Sequence, residues 1–443
     1  MELSLYMKIP FLIQMLMHNQ RLRPTEVREL QNKKLKALVE YSYKYVPYYH
    51  SLFAEKGLHP DDIKCVDDLD KIPILKKKDV RDSPLEEITA MNIDLNKCWM
   101  LRTSGTTGTP LSIYWEKEAR LIRYLRDYIF QLNCGDRITN RRVILAGWMP
   151  DPPKSIQKIG LFKTKRISPF DDLETQIEQI RNFGPKTMIT WPSCVTELCK
   201  EIEEKEIQGI NLRLVFTGGE LLDEHKRNII RETFEADLFD SYGANEVGVI
   251  SYECVEHAGY HVESDSIILE ITKDGEVVSP GEEGEITVTN LDNRAMPFIR
   301  YNLEDLGILT NDECSCGNSF PLMKLTCGRK SDTIQLPSGR KVSAGRVYFD
   351  LNLIPGIRQF QVIQEKIDQL VVKIVKNSKF TEENYNEIMQ IFRQRLGNLE
   401  LDVLFVDNIQ RDKSGKFKPF ITRIPRECSE SVDGALRTAQ APT

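Results

Sequence analysis

The sequence predicts an α/β protein: a large N-terminal domain with mostly parallel sheets plus an antiparallel subdomain, followed by a small α+β C-terminal domain. Three observations predict this. Short apolar runs ending at Pro, Gly or Trp alternate with helical patterns between Ile144 and Glu220, as in a doubly wound sheet. From Tyr260 to Thr289 the pattern changes to alternating strands around the turns Lys273-Asp274-Gly275 and Pro280-Gly281. Beyond Gly328-Arg329 the character changes again, to a separable unit of roughly a hundred residues.

The elements follow in chain order. Leu3 to Met17 is apolar but interrupted by Lys8, Pro10 and Gln14, and it reads as a surface helix packed on the body. It falls short of the ~20 apolar residues that span a bilayer. No basic leader or A-x-A-like site marks a signal peptide. Through residues 22–55, Leu30, Leu35, Leu38, Val39, Tyr43 and Val46 recur at helical spacing, until Pro47 breaks the helix. Lys76-Lys77-Lys78, followed by Asp79, Arg81 and Asp82, reads as a solvated turn. Buried strands are predicted at Ile144–Trp148, Thr187–Thr190 and Arg213–Glu220, and helices at Leu173–Phe183 and Ser193–Glu206. Ile357–Gln364 and Gln369–Val375 read as paired strands, Glu382–Leu396 as a helix and Leu401–Val406 as a strand. The domains are therefore drawn at 1–328 and 329–426, with a polar tail at 427–443 expected to be disordered.

Composition narrows the function. With 443 residues, 41% of them apolar, the chain has material for more than one core. A formal charge of −6, mixed in sign, argues against a nucleic-acid binder. Ten cysteines without a secretory signal predict a reducing cytoplasm and no disulfide scaffold.

The chemistry begins at TSGTTGTP, Thr103 to Pro110. Glycines let the backbone approach a ligand, and hydroxyls with successive N–H groups make a nest for anionic oxygens, here from Thr103, Ser104, Gly105, Thr106, Thr107 and Gly108. The lysine of a Walker loop is absent, and the strand-like LSIYW follows at once. At this loop the chain resembles the adenylate-forming enzymes, and within them the phenylacetate–CoA ligase-like branch, which includes capsule-polysaccharide biosynthesis proteins. The resemblance runs from VPYY (Val46–Tyr49) to GKFKPF (Gly415–Phe420) and rests on five motifs in family order.

It implies that the loop covers the β- and γ-phosphates of ATP. Gly218, Gly219 and Glu220, in TGGE, would flank the adenine. In SYGANEVG (Ser241–Gly248), Tyr242 offers a ring to stack on adenine, beside Gly243, and Glu246 a hard carboxylate for Mg²⁺. Asn245 stands where relatives usually carry threonine. In FIRYNLEDLG, Asp305 would take the ribose hydroxyls, with Glu304 an unusual acid before it. In GRKSD, Arg329 would also reach the ribose, and Ser331 marks the hinge of a mobile C-terminal domain. In RDKSGKFKPF the mobile catalytic lysine is Lys416, with Lys413 and Lys418 as rivals.

The activity so implied is ATP-dependent formation of an acyl-adenylate, with CoA as the expected acceptor. Its partners would be a small carboxylic acid, ATP and CoA, with neither nucleic acid nor a membrane span, and the resemblance to relatives that often dimerise makes a homodimer the expected assembly. Adenylyl transfer without thioester formation, or a catalytically silent ligand-binding homologue, are the alternatives. Trp148, Trp191 and Tyr242 are candidates for an aromatic-friendly acid pocket, with core the alternative for Trp148 and Trp191.

A separate constellation comes from the residues themselves. Cys254, His261, Cys314 and Cys316 suit a structural Zn²⁺, with His257 the alternate to His261 and Gly317 allowing a tight knuckle.

Overall fold

The computed structural model describes residues 7–102, 111–147, 154–329 and 333–424. The loop Thr103–Pro110, Trp148, the hinge position Ser331 and the tail 427–443 therefore lie outside the described residues. The chain divides into two compact units. The first runs to Ser331 and takes in the segment Gln410–Lys418; the second holds Asp332–Ile409 and resumes at Pro419.

In the first unit one twelve-stranded sheet carries both predicted patterns. Thr164–Arg166, Arg142–Ile144, Thr187–Thr190, Leu214–Gly218 and Asp237–Ala244 lie parallel, in that order. Asp237–Ala244 then turns back antiparallel into Gly248–Glu253, and the remaining strands continue from that edge. The antiparallel residues are thus an extension of the parallel sheet. Helices Leu173–Phe183, Pro192–Glu204 and Glu224–Phe234 cross between parallel strands, as alternating patterns require. Val143, Met188, Val215 and Leu238 pack with Ile177, Val195 and Ile230 into one core. A second core, around Trp115, Ile250, Ile286, Val288 and Phe298, covers the antiparallel half.

Local chemistry accounts for the element boundaries. Asp172 caps Leu173–Phe183 by accepting from the Thr175 N–H, and Gly184 ends it in the left-handed region. Pro47 does break the first long helix, Pro24–Tyr45, but it also opens the next, Pro47–Lys56, where a missing N–H costs nothing. The basic run at Lys76 forms a short helix, Lys77–Asp82, and not a turn, because the Asp79 carboxylate accepts from the Lys76 N–H. The strand expected at Ile144–Trp148 ends at Ile144, having begun at Arg142. The apolar N-terminal stretch forms a helix, Ile9–Asn19, whose Leu12 and Leu16 pack on Leu121, Leu125 and Ile129. No helix among the described residues is long and apolar enough to cross a membrane.

The second unit has a four-stranded sheet in the order Glu400–Phe405, Gln369–Lys376, Ile357–Lys366, Phe420–Thr422. Its central pair is an antiparallel hairpin and both flanking pairings are parallel. Helices Ala344–Asn352 and Glu382–Leu396 contribute Val347, Leu351, Ile388 and Phe392 to its core.

Candidate active site and metal cluster

The carboxyl ends of parallel strands are where such sheets bind ligands, and three predicted motifs meet there. TGGE ends the strand Leu214–Gly218 beside Asp237–Ala244, which leads into SYGANEVG. A Cβ on Gly218 would lie 2.5 Å from Ser241 Oγ, so only glycine allows the two strands this contact. Gly219 has φ +76°, and a Cβ there would lie 3.2 Å from Lys416 Nζ. The Lys416 ammonium therefore rests against the TGGE turn. Glu220 accepts from the Ser193 N–H through Oε2 (3.0 Å) and from the Phe417 N–H through Oε1 (2.8 Å).

The other residues of the crevice are held by protein partners. Tyr242 donates its hydroxyl to Asp305 Oδ2 at 2.7 Å, joining the adenine and ribose candidates directly. Glu246 is buried, and its Oε1 accepts from the Tyr301 hydroxyl at 3.3 Å. The Asn245 carbonyl accepts from Trp115 Nε1–H at 3.1 Å. Trp115 ends the strand Ser112–Trp115, which pairs with Trp99–Arg102 in the register Arg102↔Ser112. The two strands flanking the segment 103–110 thus pair antiparallel, and Trp115 ties them to the SYGANEVG turn. Arg329 lies on the strand Leu322–Arg329, opposite Asp305.

Asp240, directly before Ser241, is buried beneath this turn. It accepts from the Tyr260 hydroxyl (2.9 Å) and from Thr217 Oγ1, while its N–H donates to Glu253, itself paired with Arg227 at 2.6 Å. Burial, and then the nearby Glu253 carboxylate, push the Asp240 carboxyl up to about 7.

The structure separates the three lysines of RDKSGKFKPF. Lys418 pairs with Asp412 at 3.5 Å, Lys413 is exposed, and Lys416 is half-buried at Gly219. Asp412 folds the segment by accepting from the Ser414 N–H (2.8 Å) and the Lys416 N–H (3.1 Å). Arg411 donates to Ser193 Oγ at 2.7 Å and pairs with Glu197 at 2.8 Å. Tyr301, Ser193, Glu197 and Arg411 carry no motif of their own that marks them as site residues, because their partners lie far away in the chain. The sole hint is position: Tyr301 and Arg411 fall inside motifs read for other residues. Arg300, beside Tyr301, is structural: it pairs with Glu270 at 2.9 Å and donates to the Asp70 and Ile72 carbonyls. Trp191 is core, buried against Gly147, and its indole also borders Gly219.

The Cys/His residues converge through sheet register. Glu253 pairs with Tyr260 and Leu322 with His261, which brings Cys254, His261 and the Cys314–Cys316 turn together. The four ligand atoms lie within 4.8 Å of one another. Cys254 Sγ is 3.5 Å from Cys314 Sγ, and Cys316 Sγ is 3.3 Å from His261 Nε2. A tetrahedral ion with bonds of about 2.0–2.3 Å would hold its ligands roughly 3.3–3.8 Å apart. The buried His261 donates Nδ1–H to the Phe320 carbonyl at 2.8 Å, leaving Nε2 as the lone-pair nitrogen facing the thiols. Burial also lowers its pKa, favouring the neutral ring a metal needs. The Asn318 N–H donates to Cys316 Sγ at 3.4 Å. His257 is not part of the cluster: its ring stacks on Phe239 at 5.1 Å and its Nε2 meets Arg231 at 3.2 Å.

Comparison with known proteins places this geometry among relatives. The CapK C-terminal domain is matched over residues 335–423. The phenylacetate-coenzyme A ligase of Thermus thermophilus is 26% identical over 398 residues, covering 82% of this chain and 84% of that protein. That of Aromatoleum evansii is 31% identical over 310 residues, covering 63% and 66%. Among solved structures, 2-hydroxyisobutyryl-CoA ligase in the postadenylation state, in complex with R3-HIB-AMP, superposes with a TM-score of 0.75 at 17% identity, covering 91% of each chain. The anthranilate CoA ligase AuaEII gives a TM-score of 0.55 at 16% identity, covering 76% of this chain and 68% of that one. At these identities the structures speak to the fold.

Proposed function

We propose that this chain, which belongs to the adenylate-forming enzymes on their phenylacetate–CoA ligase-like branch, uses ATP to activate a carboxylic acid and passes the acyl group to coenzyme A. The observation that carries the proposal is the seat of Lys416 on Gly219, beside the crevice that holds Tyr242, Asp305 and Glu246. A carboxylate oxygen of the acid attacks the α-phosphorus of ATP; the bond from that phosphorus to the bridging oxygen breaks, and pyrophosphate leaves. Negative charge accumulates between the carboxylate and the phosphate, where a fixed ammonium is worth most. Lys416 supplies it. Asp305, aligned by Tyr242, takes the ribose hydroxyls, and binding at several fixed points turns a bimolecular attack into a positioned one. Glu246 fits a Mg²⁺, being a buried carboxylate with one oxygen engaged by Tyr301, and the ion would neutralise phosphate charge there. In the second half-reaction the CoA thiolate attacks the acyl carbon and the bond to AMP breaks.

At the metal cluster, Cys254, His261, Cys314 and Cys316 would hold a structural Zn²⁺, a donor set that suits a reducing compartment. The first acids to try are phenylacetate and other aryl acids, since the relatives are named for phenylacetate and the Trp191 indole borders the Lys416 seat. Pyrophosphate exchange over a panel of aryl and short-chain acids tests the first half-reaction, and no exchange with any acid would overturn it. Mass spectrometry of the product, acyl-CoA against an AMP ester, tests the second.

A further inference from the structure

Lys416 acts only if something seats it, and the contacts around it are more than a loop resting on a surface. Within nine residues, Gln410–Lys418, three fastenings reach the body of the first unit. The Arg411 guanidinium, with 8% of its side chain exposed, pairs with Glu197 at 2.8 Å and donates to Ser193 Oγ at 2.7 Å. The Phe417 N–H donates to Glu220 Oε1 at 2.8 Å, while the other Glu220 oxygen accepts from the Ser193 N–H at 3.0 Å. Gly415 lies so close to Trp191 that a Cβ would sit 2.9 Å from the indole ring and 3.0 Å from Pro169.

Ser193 and Glu197 lie one turn apart at the start of the helix Pro192–Glu204, so their side chains share a face. The same helix start presents the Ser193 N–H to Glu220. The TGGE carboxylate and the helix therefore form one polar receptor. Arg411 and Phe417 occupy it from either side of Lys416.

We propose that Ser193, Glu197 and Glu220 form a receptor that positions Lys416 for adenylate formation, with Arg411 as the plug that locks the segment in register. This rests on the reading of Lys416 as the catalytic lysine. Arg411 and Glu197 are positioning residues: neither need touch a reacting atom. A buried guanidinium left without its carboxylate is costly, so loss of Glu197 frees the segment and carries Lys416 off its seat. Displacement of a catalytic group by about 1 Å can cost about a hundredfold in rate.

The test is a double-mutant cycle in the full-length protein, read by pyrophosphate exchange with whichever acid the wild type activates. Glu197→Ala should lower kcat for exchange ten- to a hundredfold while changing the KM for ATP much less. Lys416→Ala made in the Glu197→Ala background should cost far less than in the wild type, because the ammonium is already misplaced. Arg411→Lys should recover part of what Arg411→Ala loses. Full additivity between Glu197→Ala and Lys416→Ala, or an effect confined to KM, would overturn the receptor. Should Glu197→Ala fail to fold, Glu197→Gln, which keeps the shape and loses the charge, serves the same cycle. A wild type that exchanges with no acid defeats the parent reading instead; a wild type that exchanges, with an additive cycle, defeats only the receptor.

Discussion

The candidate catalytic crevice and the Cys/His cluster sit on the same twelve-stranded sheet and are built in opposite ways. The crevice gathers side chains from segments far apart in the chain and keeps each one occupied by a protein partner: Glu246 by Tyr301, Asp305 by Tyr242, Glu220 by two backbone N–H groups. Those bonds fix geometry in advance of any substrate, which is what electrostatic catalysis needs. The cluster draws on a single antiparallel region, and its four ligand atoms face each other with few other bonds to satisfy them. The difference predicts a division of labour. Damage to the crevice should cost rate and leave the fold intact, whereas damage to the cluster should cost stability first.

The largest expected effect is at Lys416. Lys416→Ala should lower pyrophosphate exchange by about 10²–10³-fold, the usual toll for one preorganised charge-stabilising group, with little change in thermal midpoint. If Lys413→Ala or Lys418→Ala produced that loss and Lys416→Ala did not, the crevice would be wrongly assembled. Asp305→Asn comes next. It keeps an acceptor for the Tyr242 hydroxyl but removes the charge that the ribose hydroxyls would meet. A charge-assisted hydrogen bond contributes about 1.5–3 kcal/mol, so the KM for ATP should rise roughly ten- to a hundredfold. A variant whose KM is unmoved would remove Asp305 from the nucleotide site.

The cluster should answer to different measurements. Cys316→Ser should reduce the zinc found by elemental analysis of the purified protein and lower the thermal midpoint. Wild-type stability in that variant, together with no zinc in the parent, would leave four thiol and imidazole groups with no metal role. His257→Ala separates the histidines. It should leave zinc content unchanged, since that ring stacks on Phe239 outside the cluster.

How much of this the sequence discloses depends on the range of the interaction. Leu173–Phe183 and Glu382–Leu396 form with the predicted ends because their signals are local: Asp172 and Thr381 cap them, and Gly184 and Gly397 follow. The TGGE and SYGANEVG segments can be picked out by residue type in the same local way, and the structure brings them side by side on neighbouring strands. Pairings across the sheet are not readable in that way. The antiparallel region looks separate in sequence because nothing local shows that Asp237–Ala244 pairs parallel on one side and antiparallel on the other. The sequence prefers His261 but keeps His257 as an alternate, and it is the pairing of Leu322 with His261 that decides. Among three lysines within six residues the motif favours Lys416, and only the fold shows that it is the one beside Gly219; Glu197 has no sequence signal at all of its pairing with Arg411.

The smallest expected effect lies at the joint between the two regions. Asp240 precedes the SYGANEVG motif and holds the hydroxyl of Tyr260, the neighbour of His261 in the Cys/His cluster. The groups facing it are Thr217, Tyr260, Glu253 and, across Glu253, Arg227. Its carboxyl is raised to about 7 in the fold, against about 3.9 in an unfolded chain. Between those values the native state holds the proton that the unfolded chain has released. Asp240 therefore contributes stability that is present below about pH 4, declines as pH rises, and is gone above about pH 7, with a slope no steeper than about 1.4 kcal/mol per pH unit. Asp240→Asn cannot ionise, so denaturant unfolding of that variant should show a flatter pH profile from 4 to 7 than the wild type. Identical profiles would mean that the Asp240 carboxyl is already ionised in the fold at low pH, held so by Arg227 and its hydroxyl donors. The joint would then be a fixed anion, linking crevice and cluster at every pH in that range.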